Sequence, residues 1–139
     1  MKPILYAVAL MSLAGCATKP VAPNLASEAP AERIIAHQMP ILGGGSVTVV
    51  RDKGFTGKGC YFGVFVNGDL AAKLGTAERV QLYLPAGRSL LGSHTVGGGL
   101  CHENDRNERA EAVQIASGDS FTYRLAMSSD GIVTITPLN

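Results

Sequence analysis

From Gly45 onward the apolar positions recur every second residue, the period of a half-buried β-strand rather than of an amphipathic helix. Val47, Val49 and Arg51 fall on one side, alternating with Thr48 and Val50. Tyr61 to Val66 is an aromatic and β-branched run that ends at Asn67-Gly68, two residues that tolerate positive φ and so predict a tight hairpin into Leu70 to Leu74. Val80, Leu82 and Leu84 point one way, while Arg79, Gln81 and Tyr83 point the other. Pro85-Ala86-Gly87 turns the chain into a strand from Arg88 to Val96. Val113 and Ile115 alternate with Ala112 and Gln114 before a turn at Ser117-Gly118-Asp119. Phe121, Tyr123, Leu125 and Met127 then share a face opposite Thr122 and Arg124, and Asp130-Gly131 predicts a hairpin into Ile132 to Thr136, stopped by Pro137. About seven to eight short strands across residues 46–139 predict an all-β domain, a small antiparallel sandwich or barrel.

Residues 1–45 have a different character. Lys2 precedes a mostly apolar run from Ile4 to Leu13, and Leu13-Ala14-Gly15-Cys16 follows at once. Ten residues make a helix of roughly 15 Å, half a bilayer core, so the run predicts an export signal rather than a spanning anchor. The four residues after it resemble the lipobox of bacterial membrane lipoproteins: a branched apolar residue, two small ones, then the cysteine. That resemblance implies a signal peptide over 1–15, cleavage between Gly15 and Cys16, and lipid on the Cys16 thiol. Two or more acyl chains anchor a protein stably where one does not. The alternative is an ordinary secretory signal with a coincidental cysteine. Lipoproteins kept at the inner membrane of many Gram-negative bacteria carry Asp after the lipidated cysteine; Ala17 stands there, which implies the outer membrane, facing the periplasm.

Residues 16–45 contain Pro20, Pro23, Pro30 and Pro40 and end in Gly43-Gly44-Gly45. Repeated proline removes backbone donors, so this stretch is expected to be a flexible tether, with the glycines as a hinge. Within it, Ser27 to Met39 has the makings of one short helix, and Ile34-Ile35 of an extra strand.

Composition narrows the function. Residues 1–15 hold one of the 12 basic residues, Lys2, so the mature chain balances 11 basic against 11 acidic. Without a cationic patch, nucleic-acid binding has no electrostatic basis. Aromatic residues make up 6% and there is no Trp, so platforms for stacking sugars or bases are scarce.

With Cys16 carrying lipid, Cys60 and Cys101 remain, and an oxidising compartment favours a disulfide between them. The competing arrangement is a metal or redox site built from Cys60, Cys101 and His102, with His94. In the polar loop GGGLCHENDRN, Glu103, Asp105 and Asn107 alternate like the start of a calcium loop, but the turn glycine and closing glutamate are out of place. Ser93 and His94 are strand neighbours and face opposite ways, so they form no local dyad. Gly57-Lys58-Gly59 lacks the Ser or Thr of a phosphate loop. No nucleophile, base and orienting acid come together, so neither an enzyme nor a resident cofactor or metal is expected.

The run VRDKGFTGKGCYFGVFVNG, with LYLPAGRSLLG, GGGLC, SGDSFTYRL and SSDGIVTITP, resembles a set of uncharacterised small bacterial β-sandwich lipoproteins over roughly Val47 to Pro137. The resemblance implies a sandwich and no particular activity. A weaker one, through Ser117-Gly118 and Tyr123, is to lipoprotein inhibitors of lysozyme. The leading expectation is therefore a non-enzymatic envelope lipoprotein that binds another envelope protein, with strand edges near Val47 or Ile132 as docking surfaces. The alternatives are a lysozyme inhibitor, and a hydrolase or metal protein using His94, His102 and the acidic loop.

Overall fold

The computed structural model describes residues 18–54, 59–97, 99–101 and 109–138. Nine strands run through them: β1 (Ser27–Glu28), β2 (Gly45–Arg51), β3 (Tyr61–Val66), β4 (Asp69–Leu74), β5 (Glu78–Leu84), β6 (Gly87–Val96), β7 (Arg109–Ile115), β8 (Ser120–Met127) and β9 (Val133–Pro137). They form two sheets, one ordered β1-β5-β2-β8-β9 and the other β4-β3-β6-β7. The expected all-β sandwich is present. The chain changes sheet four times, after β2, β4, β5 and β7, so neither sheet is a contiguous piece of sequence.

The alternating positions fill the space between the sheets. Val47, Val49, Leu82, Leu84 and Leu125 of the first sheet meet Phe62, Val64, Leu74, Leu91 and Ile115 of the second, all buried. Burying one such side chain is worth about 1.5–3 kcal/mol, so the period-two pattern is what decides which face of each strand turns inward. The hairpin at Asn67-Gly68 has both residues at positive φ (51° and 89°), and Asn67 Oδ1 accepts a hydrogen bond from the Leu90 amide at 2.9 Å.

Two pairings are parallel, β1 with β5 and β2 with β8. Hairpin turns force antiparallel neighbours. Strands β2 and β8 are separated by the whole of the second sheet, so no turn constrains their direction. Val47, expected near an exposed edge, sits in a strand flanked on both sides; β9, which follows Ile132, is an edge.

The described part of residues 16–45 is not a free tether. Lys19 forms an antiparallel bridge with Lys53, its amide donating to the Lys53 carbonyl at 2.6 Å and the Lys53 amide returning at 3.0 Å. Strand β1 adds to the edge of β5, and Ala26 and Ala29 beside it are buried. The segment then crosses to the other sheet, where Ile34 bridges Ala72 and the amides of Ile35 and Ala36 both reach the Ala71 carbonyl. In place of a helix over Ser27 to Met39 there are strand β1 and one 3-10 turn, Ala31–Arg33, with a second such turn, Pro23–Leu25, just before. Proline excludes helix, but leaves extended chain free to cover an open edge. Residues 18–44 thus form a strap that covers the outer strands of both sheets on one side.

The glycine run that ends the strap is not a free hinge. The Gly118 amide donates to the Gly44 carbonyl at 2.9 Å. A Cβ on Gly45 would lie 2.7 Å from the Asp119 carbonyl oxygen and 2.9 Å from Ile115 Cγ2. Close approach of backbones requires glycine at Gly45.

Candidate functional site

The outward residues of the five-stranded sheet line up across strands. Gln81, Thr48 and Thr122 occupy one row of the β5-β2-β8 register, and Tyr83, Ser46 and Ser120 the next. A third row runs from Glu28 through Arg79, Val50 and Arg124 to Thr136. Along these rows, side chains stand about 4.8 Å apart. Two shallow depressions lie end to end on this face. One, of about 250 Å³, is lined by Pro23, Glu28, Thr48, Arg79, Gln81 and Thr122. The other, of about 220 Å³, lies against Ser46, Tyr83, Ile41 and Asp119.

The strap builds one wall of this groove. Arg79 donates through Nη1 to the Pro23 carbonyl at 2.6 Å and through Nη2 to Glu28 Oε1 at 2.8 Å. At the other side, Arg124 grips the buried Asp52 carboxylate with two hydrogen bonds, one of them Nε to Oδ1 at 2.7 Å. Hydrogen bonding to that carboxylate holds the Arg124 guanidinium above its ordinary pKa. Both cations on the face are therefore already matched by carboxylates. In the first depression the remaining groups are uncharged: the Gln81 amide and the Thr48 and Thr122 hydroxyls, whose side chains enter no hydrogen bond among the described residues. Such a surface favours a neutral polar partner over a phosphate or another polyanion.

On the opposite outer face an apolar cluster packs around Gly63. Phe65 stacks on His94 with centroids 4.1 Å apart, and a Cβ on Gly63 would meet Phe65 Cε2 at 2.6 Å and Val96 Cγ1 at 2.8 Å. Gly63 is the space those side chains fill.

Cys60 and Cys101 form a disulfide, with Cα atoms 5.4 Å apart. It joins the start of β3 to the segment after β6 at the end where Tyr61 pairs with Val96. Engaged in that bond, neither cysteine can ligate a metal. His94 is only 5% exposed, and among the described residues no three His, Cys, Asp or Glu side chains cluster as metal ligands. Ser93 turns inward, its hydroxyl donating to the Gly63 carbonyl at 2.8 Å, while His94 lies on the outer face; the structure keeps the two apart. Gly15 and Cys16, Gly57 and Lys58, and His102, Glu103, Asp105 and Asn107 lie outside the described residues.

Ser117 and Gly118 belong to an exposed turn, in which the Ala116 amide donates to Asp119 Oδ2 at 2.8 Å. Tyr123 is 5% exposed and belongs to the core. The exposed turn and the buried ring do not share a surface.

Beneath the end of the sandwich that carries the disulfide lies Arg51, 2% exposed. Its Nη1 donates to the Cys60 carbonyl at 2.7 Å and the Leu74 carbonyl at 2.8 Å, and its guanidinium stacks 3.6 Å from the Phe62 ring. Burial pushes its pKa down to about 10, which leaves it charged at neutral pH. Arg51 thus links β2 of one sheet to both β3 and β4 of the other.

Alternation along each strand had placed Gln81 and Thr122 outward. Their meeting with Thr48 depends on the parallel pairing of β2 with β8, for which no local signal exists. The carboxylate partners Glu28 and Asp52 were invisible for the same reason. No protein-family model matches the chain, and no curated protein matches it either. Among the described residues, no helix is long and apolar enough to cross a membrane.

Proposed function

We propose that the chain is a non-enzymatic lipoprotein of the bacterial envelope, anchored through Cys16 and facing the periplasm. In this reading the outer face of its five-stranded sheet binds another envelope protein. The observation that carries the binding role is the row Gln81–Thr48–Thr122, which offers uncharged hydrogen-bonding groups beside a row whose two arginines are already paired with carboxylates. The apolar run before Leu13-Ala14-Gly15-Cys16 supports the anchor. The Cys60–Cys101 disulfide suits an oxidising compartment outside the cytoplasm.

A photo-crosslinking amino acid at Gln81, compared with one at Ala112 on the outside of the other sheet, tests the binding face in living cells. Both positions are exposed. One dominant protein adduct from position 81 and none from position 112 is the expected result. No adduct from position 81, or the same products from both, would refute the assignment of the face. Adducts to wall glycan alone would replace the protein partner with a wall polymer.

A further inference from the structure

Resting on the proposed anchor, we infer that the end of the sandwich bearing Lys19, Lys53 and Leu100 lies against the phospholipid headgroups of the anchoring leaflet. Cys16 precedes Lys19 by three residues, and three residues of fully extended chain reach no more than about 11 Å. Lys19 is fixed to Lys53 by two backbone hydrogen bonds. A free tether of thirty flexible residues would instead let the domain wander about 30 Å from its lipid. Docking of the strap removes that freedom and leaves a short leash.

The leash selects one end of the molecule. Lys53 follows Arg51, the last residue of β2, and Arg51 bonds the Cys60 carbonyl, so the disulfide and its neighbour Leu100 sit at this same end. Leu100 is wholly exposed, at 105%. Lys19 and Lys53 are exposed beside each other. An apolar side chain with two ammonium groups fits an interface of acyl chains below anionic phosphates. At the other end, Leu42 is equally exposed, at 104%, just before the first residue of β2. Seven residues of strand place it about 23 Å further from the leaflet. The polar groove runs between the two ends and stays open to the periplasm.

The protein has no Trp, so Leu100→Trp and Leu42→Trp give two matched single probes. The full lipidated chain is reconstituted in phosphatidylethanolamine–phosphatidylglycerol vesicles with or without brominated acyl chains. The ratio of the two emissions cancels any quenching by the neighbouring disulfide. Tryptophan at position 100 is expected to lose most of its emission to brominated lipid, and tryptophan at position 42 to lose none. Insertion of about 20 Gly/Ser residues before Thr18, a reach of roughly 25 Å, should abolish the loss at position 100. Equal quenching at both positions, or none at either, in vesicle-bound lipidated protein overturns the orientation and leaves the anchor standing. Protein that carries no lipid and does not join the vesicles overturns the anchor, and the orientation with it.

Discussion

The ion pair between Arg33 and Glu78 measures how firmly the strap is held. Arg33 belongs to the strap and Glu78 opens β5; the two guanidinium nitrogens donate to the two carboxylate oxygens, each at 2.6 Å. Both side chains are 17% exposed, which sets the pair apart from a solvated surface bridge. Arg33 also donates to the Lys73 carbonyl at 3.2 Å and lies 4.7 Å from the centre of the Tyr61 ring. Hydrogen bonds to charged groups contribute about 1.5–3 kcal/mol each when buried. With partial exposure, a coupling of about 2 kcal/mol is expected for the pair. Arg33→Ala alone should cost about 2–3 kcal/mol, because the Lys73 and Tyr61 contacts go with it. Glu78→Ala should cost more, since the Gly75 amide loses its acceptor at 2.6 Å and buried Arg51 loses a nearby carboxylate. Urea unfolding of the wild type, both single variants and the double variant yields the coupling directly. A value below about 0.5 kcal/mol, the range of exposed pairs, would refute the reasoning that this half-buried ion pair fastens the strap to β5.

Three further perturbations have defined outcomes. Burial alone would raise the Glu78 pKa, but Arg33 and the Gly75 amide outweigh it and hold it below its ordinary value of 4.5. Its contribution is therefore complete above 4.5 and is lost as pH falls through the lower folded-state value; acid unfolding of Glu78→Gln followed by circular dichroism should show a shallower decline there. The double variant Cys60→Ala/Cys101→Ala opens a loop of sequence separation 41 and should lose about 4 kcal/mol in the chain-entropy model, read as a lower urea midpoint. Gly63→Ala drives a Cβ into Phe65 and Val96 and should cost about 1–3 kcal/mol; thermal unfolding within error of wild type would contradict that packing.

What the sequence made legible followed from local periodicity and turn chemistry. The strand from Tyr61 to Val66 and its Asn67-Gly68 turn are residue-local, because two consecutive positive φ values demand those residue types. Arg51 fell on the inward side of its strand by alternation alone, yet nothing nearby announces the carbonyls that satisfy it. The docking of the strap is not legible in the sequence, because proline content reports the absence of helix and says nothing about which edges an extended segment covers. Its attachment rests on edges of β5 and β4, some fifty and forty residues further along the chain. The polar groove was half legible: side-chain direction could be read, while lateral neighbours could not. Parallel pairing of β2 with β8, across about seventy residues, brings Thr48 to Thr122.

Whether lipid on Cys16 holds this sandwich to a membrane, as proposed, can be read from the mass of the mature protein. The chain is expressed with its own N-terminus in a Gram-negative host, extracted from membranes and measured intact. The expected species starts at Cys16 and carries a diacylglyceryl group, with Cys16→Ala abolishing both the modification and the membrane association. A chain without lipid in the soluble fraction, whether cleaved elsewhere or not cleaved, would contradict the proposal.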